Sequence, residues 1–80
     1  MVIHNLYIGR YSSPNISKKD LKKLNDLGIR GYLFARKDCY SLKIFSSIDK
    51  NKTDMLAHNL RAKGFETDIE TIEYKKNNFV

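Results

Sequence analysis

The chain has 80 residues, and its 15 basic and 9 acidic side chains give a net charge of +6. This length allows one domain with a modest core, which excludes a deeply buried catalytic apparatus and places functional sites in grooves or on faces. The single cysteine, Cys39, excludes an intrachain disulfide and a cysteine-based metal site. The positive charge favours polyanionic partners (nucleic acid, anionic glycans, an acidic membrane surface) or simply serves solubility.

A strand is predicted over residues 3–10, because the apolar residues Leu6 and Ile8 alternate with their neighbours. The following helix is predicted to begin at Ser17, which resembles a capping box with Asp20 three residues later. Gly28 ends this helix, since glycine readily takes the left-handed conformation that closes a helix. The buried stripe is expected to consist of Leu21, Leu24 and Leu27, with Ile16 packing on Leu21 and four lysines on the solvent side.

A second strand is predicted over residues 29–36, and a turn then leads into a third strand over residues 40–45. Successive side chains of a strand point to opposite faces, so one set of each strand faces the helices and the other faces away. The inward set is predicted to be Ile29, Gly31, Leu33 and Ala35 on the second strand, and Tyr40, Leu42 and Ile44 on the third.

A second helix is predicted to begin at Asp49, with Asn51 as the alternative cap, and to end at Gly64. Its buried residues are expected to be Leu56, Ala57 and Leu60. A fourth strand over residues 65–72 follows, with Phe65, Thr67 and Ile69 inward. Its polar residues Asp68, Glu70 and Glu73 are interpreted as a solvated acidic edge that resists aggregation. Residues 75–80 are expected to form a polar, frayed tail.

The predicted elements repeat along the chain. Leu6 recurs 36 residues later as Leu42, and Gly28 recurs at the same offset as Gly64. Each copy reads strand–helix–strand, so we predict a single α+β domain with its core at about residues 3–74. The predicted fold is βαββαβ, the split βαβ (RNP-like or ferredoxin-like) arrangement, in which a four-stranded antiparallel sheet carries two helices on one face of a two-layer sandwich.

This arrangement leaves one face of the sheet free of helices, and we call it the open face. Strands 1 and 3 are expected in the centre, with strand 2 beside strand 3 and strand 4 beside strand 1. The candidate binding residues on the open face are Tyr7, Arg30, Tyr32, Phe34, Arg36, Ser41, Lys43 and Phe45. Rings of this kind stack on nucleobases or sugars, and cations hold phosphate or carboxylate groups. Alternatively, the aromatic residues pack on a protein or dimer partner.

Catalytic chemistry finds little support in the sequence. His4 and His58 fall on a predicted strand and a predicted helix, without a carboxylate at a spacing typical of a triad, and Cys39 falls at a hairpin. Gly9 and Gly28 are interpreted as a strand bend and a helix end, not as a phosphate-binding loop. We therefore expect no catalytic residues, no metal ligands and no cofactor.

The chain resembles a SPOR domain, the sporulation-related repeat of bacterial cell-division and cell-wall proteins. That family's first strand reads apolar-Gln-apolar-Gly-small-aromatic-Ser, and residues 6–12 read Leu-Tyr-Ile-Gly-Arg-Tyr-Ser. Its third strand reads Tyr-Arg-Val-Arg-Val-Gly-Pro-aromatic, and residues 40–47 read Tyr-Ser-Leu-Lys-Ile-Phe-Ser-Ser. The end of helix 2, residues 60–65, also fits the family. The departures are Tyr7 for the glutamine, Phe45 for the glycine and Ser47 for the aromatic residue.

The resemblance implies non-catalytic binding of peptidoglycan glycan strands that lack stem peptides, as occur at division septa, across the open face. The lactyl carboxylates of such strands would suit a basic face, and another anionic polymer is an alternative partner. The resemblance also implies a location in the cell envelope or septum within a larger anchored or secreted protein. The sequence itself contains no targeting signal and no apolar run near the roughly 20 residues of a membrane span, so no membrane insertion is expected of this segment.

The alternative is an RNA-recognition motif, which has the same βαββαβ layout. Residues 6–9 resemble the first-strand signature of that family, with Tyr7 as a stacking ring for single-stranded RNA. The third strand departs from it, because the slot for Gly-aromatic-Gly/Ala-aromatic is occupied by residues 39–42, Cys-Tyr-Ser-Leu, and this alignment turns Lys43 into the core. Nucleic acid is thus the less favoured partner. A protein-interaction or dimerisation domain is the second alternative.

Overall fold

The computed structural model of the chain describes residues 1–74, and the tail predicted at residues 75–80 lies outside them. The elements in chain order are β1 (Val2–Tyr11), a short 3-10 helix (Pro14–Ser17), α1 (Lys18–Asp26), β2 (Tyr32–Ala35), β3 (Tyr40–Ser47), α2 (Lys50–Ala62) and β4 (Thr67–Glu73). This is the predicted βαββαβ order. The three sequence-predicted strand pairs and both helices are all present.

The four strands form one antiparallel sheet in the order β2-β3-β1-β4. The predicted positions of all four strands are confirmed, with β1 and β3 in the centre. The α+β class is confirmed as well, because the buried residues of both helices join those of the sheet in a single core. That core consists of Leu6, Ile8, Tyr11, Leu24, Leu42, Ala57, Leu60 and Phe65.

α1 begins at Lys18 with Ser17 at the N-cap position, as predicted, but the predicted capping box does not form. Ser17 takes a helical conformation and makes no capping hydrogen bond with its side chain; its hydroxyl instead donates to the carbonyl oxygen of Pro14 at 2.6 Å. The preceding 3-10 turn changes how the chain enters the helix, and Ile16 is 56% exposed, so it forms no staple. The start of α2 is confirmed, since an Asp49 side-chain oxygen accepts from the backbone N–H of Lys52 at 3.2 Å.

Both helices end at the predicted glycines, Gly28 and Gly64, which have φ of +78° and +93°. The residue after each glycine donates its backbone N–H back into the helix: Ile29 to the carbonyl of Leu24 at 2.9 Å, and Phe65 to that of Leu60 at 3.1 Å. Residues 29 and 65 therefore belong to the ends of the helices. As a result, β2 and β4 begin later in the chain than predicted.

The core confirms the predicted helix stripes with one exception. Leu24 and Leu60 are fully buried, and Leu21 and Leu56 pack at the margin of the core. Leu27, however, is 47% exposed, because α1 already ends at Asp26 and Leu27 caps it outside the packed stripe.

Leu24→Ala and Leu60→Ala are each expected to lower the free energy of unfolding by about 2–5 kcal/mol, because each leaves a cavity beneath a helix. Leu27→Ala removes the same atoms from an exposed position and is the matched control, with an expected loss below about 1 kcal/mol. Urea unfolding of the three variants measures these differences. Equal losses at Leu24 and Leu27 would contradict the packing described.

Tyr11 fastens β1 to the start of α1. Its hydroxyl donates to a carboxylate oxygen of Asp20 at 2.6 Å, and its ring covers Gly9 so closely that a Cβ there would lie 2.2 Å from ring atoms. Gly9, with φ of +76°, opens the bulge that lets Tyr11 pair with Tyr40. Burial and the hydrogen bond to Asp20 raise the pKa of Tyr11 well above its usual range.

The raised pKa of Tyr11 makes stability pH-dependent in the alkaline range. Because the folded state holds this proton more tightly than the unfolded state does, its contribution is complete below pH ~10 and is lost as the pH rises further. Tyr11→Phe is expected to cost about 1.5 kcal/mol at neutral pH through the lost hydrogen bond. Urea unfolding from pH 8 to pH 11 should show the gap between wild type and variant narrowing; a constant gap would contradict this account.

Candidate binding face

A row of four side chains crosses the open face, one from each strand. Cross-strand pairing joins Tyr32 to Lys43, Lys43 to Tyr7, and Tyr7 to Asp68. The neighbouring row, which includes Leu42, lies in the core on the helix side. Side chains of adjacent rows point to opposite faces, so the predicted placement of Tyr7, Tyr32 and Lys43 on the open face is confirmed.

Phe34 lies on the same face, opposite Ser41 of β3, and completes an aromatic–cation cluster with residues of this row. Its ring meets the edge of the Tyr7 ring with centroids 6.2 Å apart and planes at 72°. The Lys43 ammonium lies 5.1 Å from the centroid of Phe34, and the Arg36 guanidinium lies 4.4 Å from that of Tyr7. In each contact, a cation or the positive edge of a ring is attracted to the negative face of an aromatic ring. These neighbours cover Tyr7, which is only 6% exposed. Its ring therefore lies beneath the surface of the open face and is not an exposed stacking surface.

Arg36 crosses the face from the end of β2 to β4. Its Nη2 lies 2.7 Å from a carboxylate oxygen of Asp68, and the two side chains are 18% and 43% exposed. Burial lowers the pKa of Arg36, but the hydrogen bond and charge of Asp68 outweigh it, and the net shift is upward. Burial and the charge of Glu70 raise the pKa of Tyr7, against the opposing effect of Arg36.

The prediction that Phe45 faces outward is wrong. Leu6 pairs with Phe45 and the next residue, Tyr7, pairs with Lys43, so Ile44 is an extra residue in β3. Such a bulge places both of its residues against the same partner and resets the alternation of the strand. Phe45 consequently shares the side of Leu6 and packs, with Ile44, at the margin of the core.

Two further candidate residues are not placed as predicted. Ser41 lies on the open side of β3 but is fully buried, and its hydroxyl donates to the carbonyl oxygen of Gly9 at 2.7 Å. Arg30 is exposed but precedes the first residue of β2, Tyr32, so the alternation of the sheet does not set its direction. Of the eight predicted residues, the structure brings five together: Tyr7, Tyr32, Phe34, Arg36 and Lys43.

Charge on the open face is more balanced than the sequence indicated. Asp68 and Glu70 are cross-strand partners of Tyr7 and Asn5, so the polar edge predicted as a solvated border of the sheet belongs to the same face. Two carboxylates therefore accompany the two cations, Arg36 and Lys43. The face is aromatic along β2 and acidic along β4, and its accessible apolar surface lies on the β2 side.

An open cleft of about 560 Å³ lies along β2 and β3, and its lining combines residues of the open face with residues at the margin of the core. Tyr32 and Phe34 border it and are 57% and 42% exposed. The lining residues are Tyr32, Leu33, Phe34, Lys43, Ile44, Phe45 and Ser46. The cleft combines ring faces with one ammonium group, which is a surface suited to stacking on a flat or sugar-like ligand.

His4 and Cys39 make polar contacts of their own. Nδ1 of His4 lies 2.9 Å from the hydroxyl of Thr71, and Sγ of Cys39 lies 3.8 Å from the hydroxyl of Ser41. Among residues 1–74, no group of three or more histidine, cysteine or acidic side chains is arranged to hold a metal ion. No helix in the same span is long and apolar enough to cross a membrane.

Comparison with solved structures finds the same architecture in a cell-wall protein. The solution structure of the peptidoglycan binding domain of the B. subtilis cell wall lytic enzyme CwlC matches with a TM-score of 0.74. The two domains share one fold. The match covers 91% of this chain and 92% of that domain, at 15% sequence identity. The fold that the SPOR resemblance implies is thereby confirmed.

Sequence comparisons add nothing to the structural match: no family model matches the chain, and no curated protein gives a significant match.

Tyr7→Ala is expected to lower the free energy of unfolding by about 3 kcal/mol, because its ring is buried beneath Phe34 and Arg36. Tyr32→Ala is expected to cost below about 1 kcal/mol, because its ring is 57% exposed. Chemical denaturation of the two variants and the wild type measures these differences in the free energy of unfolding. A loss at Tyr32 as large as that at Tyr7 would show that Tyr32 is a packing residue rather than a free binding surface.

Proposed function

We propose that this domain binds peptidoglycan glycan strands that lack stem peptides, without catalysis, and thereby localises its protein to the cell wall and the division septum. The observation that carries the proposal is the pair of exposed rings, Tyr32 and Phe34, beside Lys43 on a helix-free face. The fold supports it too, since a domain described as binding peptidoglycan has the same architecture.

The two rings supply the contact area for the glycan. Sugar rings carry C–H groups on one face, and these pack on aromatic rings without requiring a particular base or side chain. Tyr32 lies at the first position of β2, and Phe34 follows on the same face two residues later. Two successive sugars along a strand would meet two successive rings.

Lys43 supplies the charge beside the rings. Within residues 1–74 the ion pairs are Arg36–Asp68 and Lys50–Asp54, so no carboxylate of the described residues pairs with the Lys43 ammonium. Removal of stem peptides leaves a lactyl carboxylate on each muramic sugar. A carboxylate next to a stacked sugar would find Lys43 within the same cleft.

RNA binding has less support from the open face. Tyr40, the ring of the third-strand signature, pairs with Ala35 and packs at the core instead of facing outward. A protein-interaction role remains the other alternative, because exposed rings also fit apolar partners.

Co-sedimentation with purified sacculi tests the proposal. We expect pelleting of the domain to increase when an amidase removes the stem peptides, because this exposes bare glycan and its carboxylates. Tyr32→Ala and Phe34→Ala are each expected to weaken binding about tenfold, equivalent to about 1.4 kcal/mol, through lost stacking. Met55→Ala is the matched control, since Met55 is 67% exposed on α2, in the other layer.

A parallel titration with single-stranded RNA at two salt concentrations separates the alternatives. Salt-dependent RNA binding without pelleting would replace the proposal by a nucleic-acid role. If neither ligand binds, the exposed rings are left to a protein partner. An equal effect of Met55→Ala and Tyr32→Ala would show that pelleting does not report on the open face.

A further inference from the structure

Asp68 pairs with Nη2 of Arg36, a donor that equally suits a ligand carboxylate. Its carboxylate oxygen is 2.7 Å from Nη2 of Arg36, on the same face as Tyr7 and Lys43. Arginine binds carboxylates through its planar fork of N–H donors, whether the carboxylate belongs to the protein or to a ligand. The ion pair between Arg36 and Asp68 is thus the same kind of contact that a carboxylate of an acidic glycan would make with Arg36.

The side chain of Arg36 is already fixed in position before a ligand binds. Its guanidinium lies 4.4 Å from the centroid of the Tyr7 ring, and its side chain is 18% exposed, so its position is set by packing as well as by charge. Among residues 1–74, Nη1 is buried and has no hydrogen-bond partner. Asp68 therefore satisfies only part of the donor capacity of this arginine.

Asp68 is the partner that can leave. Its side chain is 43% exposed on the edge strand β4, so water can solvate its carboxylate as soon as the ion pair opens. Ion pairs with an exposed partner are weak and are screened by salt. Tyr7, by contrast, is 6% exposed and stays beneath Arg36 when Asp68 moves away.

We propose that Arg36 is a carboxylate-binding site that Asp68 occupies in the free domain, and that a carboxylate of an acidic glycan displaces Asp68 upon binding. The inference rests on the proposed function and deepens it, because it adds Arg36 to Lys43 as a second group that holds a lactyl carboxylate of the strand. Asp68 then acts as a competitor that lowers affinity for every ligand carboxylate at this position. Glycan that lacks carboxylates does not experience this competition.

The test compares Asp68→Asn with the wild-type domain. Ligands are denuded glycan strands with their natural carboxylates, and the same strands after chemical reduction of the carboxylates to alcohols. Asp68→Asn is expected to raise affinity for the carboxylated strands about three- to tenfold, because Arg36 is then free in a larger fraction of molecules. Affinity for the reduced strands should stay within about twofold of wild type.

Two controls separate competition from general repulsion. Glu70→Gln removes the same charge from the same strand, and within residues 1–74 the ion pair of Arg36 is with Asp68 and not with Glu70. In the Arg36→Gln background, Asp68→Asn should give no gain, because the site that Asp68 competes for is absent. Urea unfolding of each variant verifies that it is folded.

The outcomes distinguish the inference from the proposed function. An equal gain from Glu70→Gln, a gain that persists without Arg36, or no gain from Asp68→Asn would overturn the inference. If the reduced strands bind and Tyr32→Ala weakens them, the proposed function stands in each of those cases. If neither form of the strands binds wild type or Asp68→Asn, the proposed function and the inference both fail.

Discussion

The antiparallel pairing of β1 with β3 is the interaction on which the rest of the structure depends. It places Leu6 and Leu42 in the core beneath the helices, and Tyr7 and Lys43 together on the opposite face. Both edge strands attach to this pair, β2 to β3 and β4 to β1. A shift of the pairing by one residue would exchange the buried and open sets of side chains.

The two strand–helix–strand copies are alike in fold but not in surface chemistry. At the offset of the repeat, Tyr32 corresponds to Asp68 and Phe34 corresponds to Glu70. Apart from Tyr11, which corresponds to Ser47, the core positions are apolar in both copies, because both helices must cover the same kind of sheet. The open face has no such requirement, so one edge became aromatic and the other acidic. This divergence gives an internally repetitive fold a single candidate site at one edge.

Most of the fold follows from local patterns in the sequence. Alternation, glycine helix ends and the repeat predict all four strands, both α-helices and most of the core, and the fold that they indicate gives the strand order. The same alternation places Tyr32, Phe34 and Lys43 on the open face, since parity within a strand is a local property.

The errors arise where distant parts of the chain decide the outcome. The bulge at Ile44 and Phe45 depends on how β3 pairs with Leu6 of β1, and no residue type within β3 predicts it. The burial of Tyr7 results from Arg36, which reaches it from the end of another strand. The role of Asp20 was missed for the same reason, because its partner is Tyr11 rather than the neighbouring cap residue. Parity tells which way a side chain points, but not what covers it.

The interleaved strand order makes the domain indivisible. Each copy contributes one central strand and one edge strand, and these two are not neighbours, because β1 and β2 are separated by β3. An isolated copy would contain two strands that do not pair with each other, because the strand between them belongs to the other copy. The domain should therefore unfold in one cooperative step, and its folding must await the long-range meeting of β1 and β3. A chain cut in the β2–β3 hairpin would regain its structure only by reassembling both pieces.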